Sequence, residues 1–204
     1  MDIAHLWQQL LEGLLATTWL EYIAVFFGIA SVVLSRMENI WVYPTGIVNT
    51  TIYIYLSVIA GLYAEAGVNF YYTVMSIIGW VLWARKSDGE TVLHITRSSR
   101  REWLAALAFF AVAWGLLYWV LRTYTDSTVP LADGFASATA YTGMWLMARK
   151  KLENWYYWLA VDILASVIYV YKGIYFYALL YGVYVILAIS GYVEWRKSMK
   201  EYHA

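Results

Sequence analysis

The chain of 204 residues has no cysteine, and only 14% of its residues are charged. The first absence excludes disulfides and thiol chemistry. The second argues against a soluble domain, in which about a quarter of residues carry charge. Formal net charge is zero, so no basic surface suggests nucleic acid. His5, His94 and His203 lie far apart and suggest no metal cluster. There is no glycine-rich nucleotide loop and no serine nucleophile with a recognisable base, so the chain reads as a non-enzyme without cofactors. No span carries the paired carboxylates of a proton relay or the charge series of a voltage sensor. The first 20 residues lack the basic region that opens a signal peptide.

What the chain has instead is apolar and aromatic. Apolar residues make up 62% of it, and several runs reach or approach the ~20 residues that span a bilayer. We read an all-α polytopic membrane protein with seven spans, at about 20–36, 41–61, 68–84, 102–122, 132–148, 155–172 and 174–194. Leu6, Trp7, Leu10, Leu14 and Leu15 suggest an amphipathic N-terminal segment, 1–19, on the membrane surface. Gly61 and Gly67 bracket the turn after the second span. Residues 85–101 form a long polar cytoplasmic loop, and 195–204 a cytoplasmic tail.

The chain also repeats itself. Glu38-Asn39 recurs as Glu153-Asn154, an offset of 115, with Tyr43 on Trp158 and Gly28 on Gly143. After a shorter loop the offset becomes 112, with Asn69 on Tyr181, Tyr72 on Tyr184, Gly79 on Gly191 and Trp83 on Trp195. Residues 20–84 and 132–194 therefore read as two three-helix repeats, joined by a linker span at 102–122. One linker span inserts both repeats in the same orientation, so they are parallel. With the N-terminus outside and the C-terminus inside, only Arg122 and Lys172 of the 14 basic residues fall outside, as the positive-inside rule asks. The basic groups at 149–151 and 196–200 then read as topology determinants.

Duplicated bundles place solute sites between their halves. On span six Trp155, Trp158, Asp162, Ser166 and Tyr169 share one face. Asp162 lies near mid-membrane, where a carboxylate faces a cavity or a partner. It serves either as a cation-attracting group in an aromatic site or in a hydrogen bond to a neighbouring span. On span three Asn69, Tyr72, Ser76 and Trp83 share a face, matched on span seven by Tyr181, Tyr184, Ala188 and Trp195. Tyr72 and Tyr184 are ligand-stacking or interfacial, while Trp83 and Trp195 suit the interfacial aromatic belt. Pro44 starts or kinks span two, which continues to Gly46, Asn49 and Tyr53. Asn39 and Asn154 either grip a planar ligand with their aromatic neighbours or cap helices, and Glu38 and Glu153 suit helix N-termini. The small residues of span five, Ala136 to Gly143, indicate close helix packing.

Taken together, Glu153-Asn154-Trp155-Tyr156-Tyr157-Trp158, Lys172-Gly173, Gly191 with Trp195, Gly46-Ile47-Val48-Asn49, and Gly79-Trp80 with Trp83 resemble the Pnu family of bacterial vitamin facilitators. The resemblance covers about residues 20–197. It implies a three-plus-one-plus-three fold distantly like the SWEET sugar transporters, homotrimers in the inner membrane, and facilitated diffusion of nicotinamide riboside, thiamine or riboflavin. It also implies a cytosolic kinase that traps the vitamin. The family's Asn-x-x-x-Trp element falls on Asn154 and Trp158, and its midspan asparagines fall on Asn49 and, altered, on Asp162. Asn69 stands where riboside members often have glutamine, and Tyr43-Pro44 where many have Trp-Pro. Tyr43-Pro44-Thr45-Gly46 and Asn69-Phe70-Tyr71-Tyr72 look more like thiamine members. The expectation is thus a facilitator for a cationic B-vitamin, thiamine first and nicotinamide riboside second. Its site would comprise Asn49, Asn69, Tyr72, Asn154, Trp155, Trp158, Asp162 and Tyr184. A sugar facilitator and a substrate-binding subunit or sensor are the rivals.

Overall fold

The computed structural model describes residues 17–87, 90–125, 127–171 and 173–201. The amphipathic segment expected at 1–19 lies almost wholly outside them. Seven helices run through the described residues: α1 Trp19–Arg36, α2 Val42–Ile59, α3 Tyr63–Ala84, α4 Arg100–Tyr124, α5 Pro130–Ala148, α6 Asn154–Tyr171 and α7 Tyr175–Glu201. Their starts are chemically marked. Thr18 and Glu21 form a capping box on α1, as Ser99 and Glu102 do on α4, each satisfying amides that a helix start leaves open. Pro130 opens α5, where its missing N–H costs nothing.

One expected boundary moves. Gly67 does not bracket the turn after α2 but lies inside α3, which starts at Tyr63. The turn is made by Gly61 alone, at φ 74°, a conformation that glycine adopts without Cβ strain.

Helices α1, α2 and α3 pack in sequence, α3 packs on α5, then α5, α6 and α7 pack in sequence, and α7 returns to α1. Six helices thus close a ring, and α4 stands outside it against α5. Five helices (α1, α2, α3, α4 and α7) are long and apolar enough to cross a membrane. The other two, α5 and α6, hold the small residues and the polar aromatic face. Between α3, α4 and α6, α5 has little outer surface to present to lipid, so its composition need not be greasy.

Backbone details recur at one spacing. Glu38 and Lys150 both have positive φ, 55° and 51°, and Gly61 and Gly173 both have φ near 74°. Glu38 N–H donates to Ser35 C=O and Lys150 N–H to Met147 C=O; Leu62 N–H donates to Ser57 C=O and Ile174 N–H to Tyr169 C=O. All these pairs are 112 residues apart, the separation of Glu38 from Lys150. The offset of 115 that the sequence match gives at Glu38-Asn39 is not the spacing at which these backbone features recur.

The loop after α3 is not simply polar surface. Lys86–Ser87 and Glu90–Thr91 (β1 and β2) pair antiparallel, and Ile95 beyond them is buried. Thr96 exchanges backbone hydrogen bonds with Lys150 and Leu152, docking the loop on the α5–α6 turn. Glu153 completes this docking by accepting from the N–H and hydroxyl of Ser98, both at 2.9 Å, rather than serving the start of its own helix.

Candidate substrate site

The ring is sealed at the end where the basic residues gather. Lys150 Nζ donates to Glu38 Oε1 at 2.5 Å and lies 4.6 Å from the Trp83 ring centroid. Trp83 meets Trp195 at 5.9 Å, and Ser35 Oγ meets Met147 Sδ at 3.5 Å. Trp195 donates its indole N–H to the Ser35 carbonyl. Trp83 and Trp195 are 4% and 0% exposed, so they form this seal and not an interfacial belt. They fit because glycine precedes each by one turn. A Cβ on Gly79 would collide with the Tyr43 ring, and one on Gly191 with the Trp155 ring. Tyr43 meets Trp83 edge-on at 5.1 Å, and Trp155 meets Trp195 edge-on at 5.5 Å.

Trp155 and Asn154 thus belong to the packed end of the ring. Trp155 is 3% exposed. Asn154 is fully buried and donates from Nδ2 to the Lys151 carbonyl, stapling its own turn. Its Oδ1 has no partner among the described residues.

One turn further along α6, Trp158 reaches across the ring to Tyr72 on α3, with centroids 6.3 Å apart. Tyr141 on α5 joins them, edge-on to Tyr72 at 6.0 Å and stacked on Tyr71 at 4.0 Å. Asp162, a further turn along, is 7% exposed. Among the described residues no hydrogen bond or ion pair reaches its carboxylate, so the expected bond to a neighbouring span is not formed in this structure. Asp162 lies within electrostatic reach of the Tyr72, Tyr181 and Tyr184 side chains, so α3, α6 and α7 converge there.

The opposite wall comes from α1 and α2. Asn49 donates from Nδ2 to the Ala24 carbonyl at 2.7 Å, leaving Oδ1 without a partner among the described residues. A Cβ on Gly28 would lie 2.9 Å from Asn49 Nδ2 and 3.2 Å from the Tyr184 hydroxyl, so that glycine lets all three meet. Asn69 turns back on its own helix, donating to the Glu65 carbonyl at 3.0 Å. Beyond Tyr184 the tyrosines continue as a ladder: Tyr181 edge-on to Tyr184, and Tyr169 stacked on Tyr181 and Tyr177.

The structure therefore brings together Tyr72, Trp158, Asp162, Tyr184 and Asn49, and sets Asn154, Trp155 and Asn69 apart. It adds Tyr141, which sequence reasoning misses. The available signal is a single tyrosine interrupting the small residues of α5.

A six-helix ring with a buried, partnerless carboxylate under aromatic side chains is a helical membrane protein with a candidate solute site, and its family makes it a transporter. The chain belongs to the family described as nicotinamide mononucleotide transporter, whose model matches residues 18–197. It is similar to the nicotinamide riboside transporter PnuC of Escherichia coli strain K12, 25% identical, with 90% of this chain and 87% of that protein covered. The transporter of the same name from Neisseria mucosa is 26% identical, over 91% of this chain and 74% of its own length. The riboflavin/roseoflavin transporter RibM of Streptomyces davaonensis is 24% identical, over 87% of this chain and 84% of its own. The fold matches the crystal structure of the vitamin B3 transporter PnuC, with a TM-score of 0.73, 24% identity, and 96% and 90% of the two chains covered.

Proposed function

We infer that this chain is a bacterial inner-membrane facilitator for nicotinamide riboside. The observation that carries the reading is Asp162, a buried carboxylate without a protein partner beside Tyr72 and Trp158. Burying such a charge unpaired is costly, so the site suits a cargo that brings a positive charge of its own. A pyridinium ring does so and presents a flat face to Trp158 and Tyr72. Thiazolium chemistry would meet the same demands, and on sequence pattern thiamine stands first. Relatives named for nicotinamide riboside reverse that order. The relative named for riboflavin supports a second reading, but an uncharged flavin would leave Asp162 unbalanced.

In this proposal α1–α3 and α5–α7 are parallel repeats that rock against each other around the site, with α4 as the linker. Support comes from the constant spacing of 112 and from the matched packing of α3 on α5 and α7 on α1. The basic end faces the cytoplasm, the N-terminus lies outside, and transport needs no energy source. Assembly as a homotrimer and trapping by a cytosolic vitamin kinase belong to the same proposal, from the family resemblance.

The test is uptake by liposomes containing the purified protein alone. Saturable entry of nicotinamide riboside, weakened in Asp162→Asn with the fold retained, is the expected result. Entry of thiamine or riboflavin in its place would move the cargo within the family. No entry of any of them without an added partner would favour a binding subunit or sensor.

A further inference from the structure

Helices α4 and α6 both pack on α5 but make little contact with each other. A groove of about 280 Å³ runs between them on the outer surface of the ring. Trp103, Leu107 and Phe110 of α4 form one wall, Tyr156 and Ala160 of α6 the other, and Thr139 of α5 the floor. The hydroxyls in this lining are already engaged. That of Thr139 donates to the Phe135 carbonyl at 2.7 Å, and that of Tyr156 to the Tyr192 hydroxyl at 3.1 Å. From Trp103 to Phe110 the wall is roughly 10 Å long at 1.5 Å per residue, within one leaflet of a hydrocarbon core about 30 Å thick. Ala160 is two positions from Asp162 on α6, so it lies on the face turned away from the candidate substrate site.

One end of the groove is basic. Arg100, Trp103, Leu107 and Phe110 follow steps of three, four and three, so Arg100 continues the wall of α4 beyond Trp103. Arg97 lies within electrostatic reach of the Tyr156 side chain on the other wall. Both arginines are exposed, and neither has an ion pair among the described residues. The neighbouring carboxylates have other partners: Glu102 pairs with Lys151 at 2.7 Å and accepts from the Ser99 N–H, and Glu153 accepts from Ser98. Arg97, Arg100, Arg101 and Lys151 outnumber Glu102 and Glu153 here, so the charge left over is positive.

We propose that this groove binds an anionic phospholipid, with one acyl chain along Trp103, Leu107 and Phe110 and the phosphate between Arg97 and Arg100. Packing of the chain against α4 and α6 supplies dispersion, the main attraction left between apolar groups in a bilayer. A guanidinium suits the headgroup because it offers paired N–H donors to phosphate oxygens. A zwitterionic lipid brings its own cation into the same excess of positive charge and is held less well. Seated there, the lipid bridges α4 and α6, which otherwise share only their packing on α5. None of these residues belongs to the candidate substrate site.

The test is native mass spectrometry of the purified full chain, released from micelles doped with phosphatidylglycerol or phosphatidylcholine of identical acyl chains. Wild type should retain one phosphatidylglycerol in preference to phosphatidylcholine. Arg97→Gln and Arg100→Gln should each lower that preference on the order of fivefold. Ala160→Phe, which fills the groove, should lower retention of phosphatidylglycerol with both arginines in place. Equal retention of the two lipids by wild type, an unchanged preference in the arginine variants, or full retention by Ala160→Phe would overturn the site. So would efficient disulfide cross-linking of Leu107→Cys between copies in lipid vesicles, which would mean that a second copy covers the groove.

Discussion

The ion pair between Glu38 and Lys150 gives the most direct quantitative test of the seal. The side chains are 16% and 6% exposed, and Nζ lies 2.5 Å from Oε1. Removing one partner of a buried pair costs about 3–5 kcal/mol, because the remaining charge is stranded. The two single changes differ, however. Lys150→Met strands Glu38 and also removes the cation from the Trp83 ring, an interaction worth about 1–2 kcal/mol when desolvated. Its cost is therefore expected near the top of that range. Glu38→Gln keeps an acceptor and keeps the ring beneath Lys150, so its cost falls to about 2 kcal/mol. In the double variant neither charge is stranded, so it costs less than the two single changes added together. Equilibrium unfolding in mixed detergent measures all four corners of the cycle. Single costs that add to within ~0.5 kcal/mol would refute the reasoning, since independent sites behave that way. Because the chain has no cysteine, Ser35→Cys provides one reporter at the seal. Either single change should speed its labelling by a thiol reagent, whereas an unchanged rate would mean that the pair does not hold this end shut.

Trp158→Ala should weaken nicotinamide riboside binding about tenfold by titration, the worth of one desolvated cation–π face. Gly191→Ala should leave little folded protein in size-exclusion profiles, since its Cβ collides with the Trp155 ring, while Gly115→Ala, in open space, should be neutral or stabilising. Single cysteines at Arg97 and Thr128 should be labelled by an impermeant reagent from opposite sides of the membrane; labelling of both from one side would contradict the proposed orientation.

The spans are legible in the sequence because an apolar run of bilayer length seldom belongs to anything but a membrane helix. Six helices start within about two residues of the expected spans, and the exception is α3, where two glycines compete for one turn. A repeat pattern is legible in the sequence, but the spacing of 112 between the turns at Glu38 and Lys150 is not, because the identity of Glu38-Asn39 with Glu153-Asn154 outweighs it on sequence alone. Trp83 and Trp195 mislead because tryptophans near span ends usually face the interface. The glycine one turn before each is the sign that they pack inward. Within the site, Asp162, Trp158 and Tyr72 stand out because a midspan charge and helical spacing are local properties.

The contacts across the seal have a consequence for symmetry itself. Ser35 touches Met147, Glu38 touches Lys150, and Trp83 touches Trp195, each residue meeting the one 112 positions away. On the proposed repeat, side chains that meet their own counterpart this way lie on a twofold axis. Were two identical halves to assemble there, glutamate would face glutamate or lysine would face lysine, and the like charges would push the joint apart. Tryptophan tolerates facing itself; a charge does not. Holding both halves in one polypeptide lets opposite signs stand there, so the joint is held by attraction rather than pushed apart.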